Sequence, residues 1–235
     1  TYGVTPTSFA AAGISGMMHG HLALNGDGEL FVPFRTWRNN ITETASEELT
    51  RLFAYPIPQR WSIAHLYQAI LNGESHVGEI THITTLAAYV HHELTGSRVI
   101  GACEASGMFP VDSATSDYYQ PMIESFDRAA KERGVTLSVR EMLPQVVSAG
   151  TPAGTLSEEG ARLLDPSGRL KAGITLAPPE GDAGTGMIAT NSIRERTGNV
   201  SAGTSAFAMV VLETPLQNVH PEIDLVATPD GKSVA

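Results

Sequence analysis

Two short runs hold the residue types that could do chemistry. Pro178-Pro179-Glu180-Gly181-Asp182-Ala183-Gly184-Thr185-Gly186 sets a carboxylate in a glycine-flanked turn directly after an apolar stretch. Asn199-Val200-Ser201-Ala202-Gly203-Thr204-Ser205 offers a small-residue turn whose backbone N–H groups can face phosphates. A carboxylate within hydrogen-bond reach of an alcohol takes its proton as the oxygen attacks phosphorus, so the two runs suggest phosphoryl transfer with Asp182 as the base. Each run also has a plainer reading: Asp182 as the cap of a helix starting near Ala183, and Gly203-Thr204-Ser205 as a tight hairpin turn. The second run has no lysine and is not a P-loop; it would hold phosphate with amides and hydroxyls between two strands.

Further upstream, Met17-Met18-His19-Gly20-His21 puts two imidazoles one residue apart, which on a strand share a face and suggest a metal. No third ligand lies nearby, so a neutral imidazole bonded to a polyol is the better functional reading, beside that of an ordinary buried histidine. Trp37-Arg38-Asn39-Asn40 offers a flat aromatic face with amide and guanidinium donors, either a polyol clamp or a core tryptophan at a domain edge. His91 and His92 fall in a predicted helix, where neighbours diverge by about 100°, and are expected at the surface.

Strands alternating with helices must position these groups, and the pattern is α/β. Ser8 to Ile14 reads as a buried strand ending at Ser15-Gly16, and Leu30 to Arg35 as the next strand. Helices are expected over Thr42 to Phe53, Ile63 to Leu71, and Ile80 to Leu94 closing at Gly96. Another helix is expected around Met122 to Ala130, stopping near Gly134, and a capped one from Leu156 to Leu164. Ile174 to Ala177 and Ala206 to Leu212 read as buried strands, and the glycine-rich stretch from Gly181 to Gly203 as a seam between two lobes.

With 235 residues, 42% of them hydrophobic, the chain can build one large core or two small ones. A formal net charge of -10 argues against a nucleic-acid partner. Cys103 is the only cysteine, which excludes an internal disulfide and a cysteine-built zinc site and fits a reducing cytoplasm. No stretch approaches the roughly 20 apolar residues of a membrane span. Both ends look cut, and the chain is expected to be an internal piece of a longer protein.

Taken in order, these segments resemble the carbohydrate kinases of the FGGY family, within the actin-like ATPase superfamily. Ser15-Gly16-Met17-Met18-His19-Gly20 resembles the S-G-x-M-H-G segment of the xylulokinase-like members, and Trp37-Arg38-Asn39 sits where they carry a W-N-D or W-Q-x sugar segment. Leu94-Thr95-Gly96 resembles an L-T-G helix end, and Glu104-Ala105-Ser106 a D-A-S or N-A-S segment. Gly181-Asp182 resembles the G-D of the catalytic base, and Gly203-Thr204-Ser205 the second phosphate motif. Asn39 departs from the family's acid, and Gly101 stands where many relatives carry an aspartate. Neither the opening D-x-G-T-T/S segment nor the closing G-G-x-x-x adenosine segment is in the chain.

The resemblance implies a ribonuclease H-like α/β fold, with residues 1–190 forming a sugar-binding lobe incomplete at its start and 191–235 beginning an ATP-binding lobe. It implies ATP-dependent phosphorylation of a xylulose-like ketose, with Asp182 as base, Met18, His19, Trp37 and Asn39 around the sugar, and Gly203, Thr204 and Ser205 on nucleotide phosphates beside Mg²⁺. A small sugar is then the partner, with no nucleic acid or membrane; a homodimer stays open. Other ketoses or polyols are alternative substrates, a non-catalytic sugar-binding module is an alternative function, and a hydrolase using Asp182 and His19 is a third.

Overall fold

The computed structural model describes Gly3 and residues 6–202, 206–214, 216, 218–220 and 222–235. The chain enters through β1 (Ala11–Ala12), β2 (Ser15–Gly16) and β3 (Leu22–Leu24). Residues 8–13 are exposed, unlike the buried strand expected there, because β1 is the edge of the three-stranded sheet that holds it. The expected strand from Leu30 to Arg35 is reduced to two isolated bridges, Leu24 with Leu30 and His21 with Arg35. Pro33 lies between them and has no N–H to continue a ladder.

Two helices follow, α1 (Glu43–Phe53) and α2 (Ser62–Leu71), close to their expected bounds. On α1 the stripe Ala45, Leu49, Phe53 is buried at four-residue spacing. A 3₁₀ turn (Ser75–Glu79) leads into β4 (His82–Thr84), antiparallel to β3, and only then into α3 (Leu86–Thr95). The expected helix from Ile80 therefore starts late: the β-branched run Ile83-Thr84-Thr85 fits beside β3, and Thr85 is extended at the cap.

β5 (Val99–Gly101), α4 (Ala102–Ser106), the hairpin β6 (Val111–Asp112) and β7 (Asp117–Tyr118), α5 (Gln120–Glu132), α6 (Val139–Met142) and β8 (Gln145–Val147) come next, with β8 parallel to β5. The main core lies among these helices, around fully buried Trp61, Phe109 and Phe126. Gly134, at φ +84°, stops α5 as its sequence predicts. β9 (Gly154–Thr155) and α7 (Glu158–Leu164) follow; Ser157 caps α7 by accepting the Gly160 N–H at 2.9 Å.

β10 (Thr175–Leu176) lies parallel to β1, and β11 (Glu180–Gly181) parallel to β2. Between the two pairs the register slips by one residue, at Pro178-Pro179, so the strand kinks just before Asp182. The Gly101 N–H donates to the Pro179 carbonyl at 2.8 Å, bringing the end of β5 against β11. α8 (Asp182–Ala189), β12 (Gly198–Ala202), β13 (Ala206–Val210), β14 (Val226–Ala227) and β15 (Ser233–Val234) complete the chain. The 206–212 segment is not the buried strand expected: Met209 and Val211 are buried against Met187 and Val234, while Ala206, Phe207, Ala208 and Val210 are exposed.

Candidate functional site

Three strand ends converge, each handing its chain to a turn or helix, which is where open α/β sheets place ligand-binding groups. β2 delivers Met18 and His19, β11 delivers Asp182, and β5 delivers α4 with Glu104. Asp182 is exposed, at the first position of α8, with Gly181 as the capping residue. Its Oδ1 accepts the N–H of Met18 at 3.2 Å and of Ala183 at 3.0 Å. So Asp182 is no helix cap of the usual kind. One oxygen ties the start of α8 to the Met18 backbone, and no described group bonds the other.

His19 does not share a strand face with His21, as the spacing suggested. Its backbone is left-handed, φ 67°, which turns the ring away from the strand direction. His19 Nδ1 lies 3.3 Å from the Gly107 carbonyl, and a carbonyl only accepts, so Nδ1 carries the proton and Nε2 is an acceptor. A Cβ on Gly107 would come within 2.6 Å of this ring, so the contact requires glycine. Burial first, then the Arg60 charge, lower the His19 pKa to about 3 against the pull of that carbonyl, keeping the ring neutral. His21 instead stacks on His65 at 5.4 Å between centroids, a core role. His91 is also buried, its Nε2 3.1 Å from the Ala153 carbonyl, contrary to the surface position expected.

Under Asp182 lie two carboxyl groups that sequence reasoning did not select as site residues. Glu180 accepts the N–H groups of Cys103 at 3.4 Å and Glu104 at 2.9 Å, capping α4 from across the sheet. Burial raises its pKa to about 7, opposed by these N–H donors. Glu104 is 0% exposed and neither of its oxygens is hydrogen bonded. Burial pushes its pKa well up, and the charges of Glu180 and Asp182 add to the rise. Ser106 extends the same joint, accepting the Ala227 N–H at 2.8 Å and so fixing β14 to α4. The sequence signal was an acid in an otherwise apolar strand, Pro178-Pro179-Glu180, where burial demands a partner.

Trp37 and Asn39 lie apart from Asp182, in a cleft of about 650 Å³ between α1 and residues 56–60. Trp37 is 40% exposed, which removes the core reading; the buried tryptophan is Trp61. Arg60 links the two regions: its side chain pairs with Asp224 in the cleft, and its carbonyl accepts the Gly20 N–H at 3.3 Å. Gly20 has φ +101° and packs so closely on the Arg35 carbonyl that a Cβ would come within 2.7 Å of it. Gly203, Thr204 and Ser205 lie outside the described residues; the strands flanking them are paired as far as Ala202 and Ala206. Among the described residues no group of three or more His, Cys, Asp or Glu side chains is placed to hold a metal ion.

No family model matches the chain. It is 25% identical over 229 residues to the xylulose kinase of Haemophilus influenzae, covering 93% of this chain and 44% of that protein. It is 24% identical over 231 residues to the L-fuculokinase of Salmonella typhi, again covering 93% and 44%. The solved structure of a ligand-bound xylulose kinase from Lactobacillus acidophilus matches 98% of this chain and 46% of its own, with a TM-score of 0.78 at 17% identity. The fold is therefore the actin-like ATPase fold of the sugar kinases. The chain spans about half the length of the curated relatives it matches. By sequence and fold together it is FGGY-like.

Proposed function

We propose that the protein phosphorylates a hydroxyl of a sugar, a xylulose-like ketose, at the expense of ATP, with Asp182 as the general base. The hydroxyl oxygen bonds to the γ-phosphorus, the bond to the β–γ bridging oxygen breaks to release ADP, and the hydroxyl proton passes to Asp182. The observation that carries this reading is the state of that carboxylate: Oδ1 is fixed by two N–H groups, Oδ2 has no partner among the described residues, and the residue is exposed. Beside it, neutral His19 offers Nε2 as an acceptor for a second hydroxyl, and Met18 supplies an apolar wall. The relatives act, by their names, on different sugars.

ATP supplies the phosphoryl group, with Mg²⁺ to neutralise it. The donors near Asp182 suit phosphate: the hydroxyls of Ser15 and Thr185 meet at 2.7 Å, and Asn199 brings β12 within 3.7 Å of a Cβ position on Gly186 of α8. On this reading Gly203, Thr204 and Ser205, between β12 and β13, meet the nucleotide phosphates. Residues 1–190 are the sugar lobe and 191–235 open the ATP lobe, and the reaction takes place in the cytoplasm.

The test is ADP release with ATP, Mg²⁺ and a panel of ketoses and polyols, beside Asp182→Asn. Sugar-dependent release that falls by about 10²–10⁴ in the variant is expected. Full activity in Asp182→Asn removes the base. Sugar binding with no ADP release by the unaltered protein makes it a binding module instead.

A further inference from the structure

Helix α4 is capped by a residue it does not contain. Its capping position is Gly101, extended at φ −72° and ψ 154°, with no side chain to offer the first turn. A helix start leaves its first N–H groups without partners, and an aspartate, asparagine or serine at the capping position ordinarily accepts the N–H two or three residues on, here those of Cys103 and Glu104. Both N–H groups go instead to the Glu180 carboxyl on β11, 77 and 76 residues along the chain, at 3.4 Å and 2.9 Å. The two arrangements exclude each other. A Cβ on Gly101 would run into Glu180, the three atoms nearest to it being the Cγ, Cδ and Oε1 of that side chain.

A cap supplied from β11 ties α4 to the strand that carries the base, since Asp182 follows Glu180 by two residues. Just past the other end of α4, the Gly107 carbonyl meets the His19 ring, and a Cβ on Gly107 would come within 3.1 Å of Met18 Cε. The Met18 N–H returns to Asp182 Oδ1. These contacts close a ring: Glu180 to the start of α4, the end of α4 to Met18 and His19, Met18 to Asp182, and Asp182 back along the chain to Glu180. Gly181 lies inside the ring with its face against Glu104 and the Met18 stem, so no side chain there props the elements apart.

An acidic side chain at position 101 would satisfy the same two N–H groups from within α4's own strand. Among the described hydrogen bonds, that would leave β11 held to this region by the Gly101 N–H on the Pro179 carbonyl alone. The cap from β11 therefore does two things that a local cap does separately or not at all: it ends the helix, and it fixes how far the base stands from the residues over the far end of that helix.

We propose that Glu180 is a positioning residue for the phosphoryl transfer: by capping α4 from β11 it sets the distance between Asp182 and the His19 and Met18 side chains that wall the sugar. This rests on the reading of Asp182 given above. Proton transfer needs the carboxylate within hydrogen-bond reach of the hydroxyl, and a misplacement of about 1 Å costs up to about 10²-fold in rate, while the sugar keeps its contacts with His19 and Met18. Loss of the tie therefore falls on kcat rather than on KM.

The test compares kcat and sugar KM for Glu180→Gln, Glu180→Ala and the double variant Glu180→Ala, Gly101→Asp, with melting temperature and amide hydrogen exchange at Met18 measured beside them. The double variant returns the cap to α4 itself, because removing the Glu180 side chain clears the space that the new carboxylate needs. We expect kcat to fall about threefold in Glu180→Gln and about tenfold or more in Glu180→Ala, with KM within about threefold in both and Met18 exchange quickening in the same order. In the double variant the melting temperature should return towards that of the unaltered protein, while kcat and Met18 exchange stay at their Glu180→Ala values. A kcat that recovers in the double variant reduces Glu180 to a helix cap and overturns the proposal, as does a kcat unchanged in Glu180→Gln. If the alanine proteins do not fold, Glu180→Gln decides alone, a fall in kcat at constant KM supporting the proposal. An unaltered protein that releases no ADP with any sugar removes the reading of Asp182 but not the tie: Met18 exchange faster in the double variant than in the unaltered protein sustains the tie, and exchange unchanged in both alanine proteins overturns it.

Discussion

The joint beneath Asp182 and the cleft beside Trp37 handle charge in opposite ways. At the joint, Glu104 and Glu180 are shut away from water, so their protonation is set by burial and by the few N–H groups that reach them. In the cleft, Arg38 and Arg51 are exposed to water. The lesson is a division of labour: buried acids fix where the strands and helices meet, and exposed bases hold nothing together.

The largest effect that sharpens this contrast is one of pH. Glu180 has a folded pKa of about 7, raised from 4.5, so between these values the folded protein holds a proton that the unfolded chain has lost. Stability should therefore fall as pH rises from about 4.5 to 7 and level off above, by on the order of 3 kcal/mol from this group. Glu104, shifted in the same direction, steepens the slope. Thermal unfolding across pH 5–8 reads the effect, and Glu180→Gln should flatten it; an unchanged slope would mean that Glu180 is ionised in the folded state throughout.

Smaller, and independent of pH, is the cost of removing the cap. Glu180→Ala leaves the Cys103 and Glu104 N–H groups without acceptors and should destabilise by about 1–3 kcal/mol, with Glu180→Gln losing less because one acceptor oxygen remains. Arg51→Ala should change stability least, within about 0.5 kcal/mol, since it breaks no described ion pair. Denaturant midpoints for the three variants would break the comparison if Arg51→Ala cost as much as Glu180→Ala.

Much of the frame was legible in the sequence, because long periodic helices announce themselves: α1, α2, α5 and α7 lie where their apolar spacing and stop signals put them. The failures share a physical cause. The segments 8–14, 30–35 and 206–212 have strand-like composition, but whether a strand forms and is buried depends on what lies beside it, which no local pattern contains. His82 to Thr84 reversed the error, since β3, far away in sequence, claimed it from a helix. At the site, Asp182, Met18 and His19 were found together because two parallel strands end together. Glu180, Glu104, Arg60 and Asp224 were missed because their meaning comes from partners about 76 to 164 residues away along the chain.

The single thiol of the molecule sits inside the joint. Cys103 is buried, its ionisation pushed well up by burial and by the charges of Glu180, Glu104 and Asp182, and its sulfur packs against the face of Gly184 on α8. An alkylating reagent can reach that sulfur only when α4 parts from β11 and α8, so the rate of labelling counts how often the floor of the site opens. The protein thus carries its own gauge of local breathing, at a place where such movement would disturb Asp182.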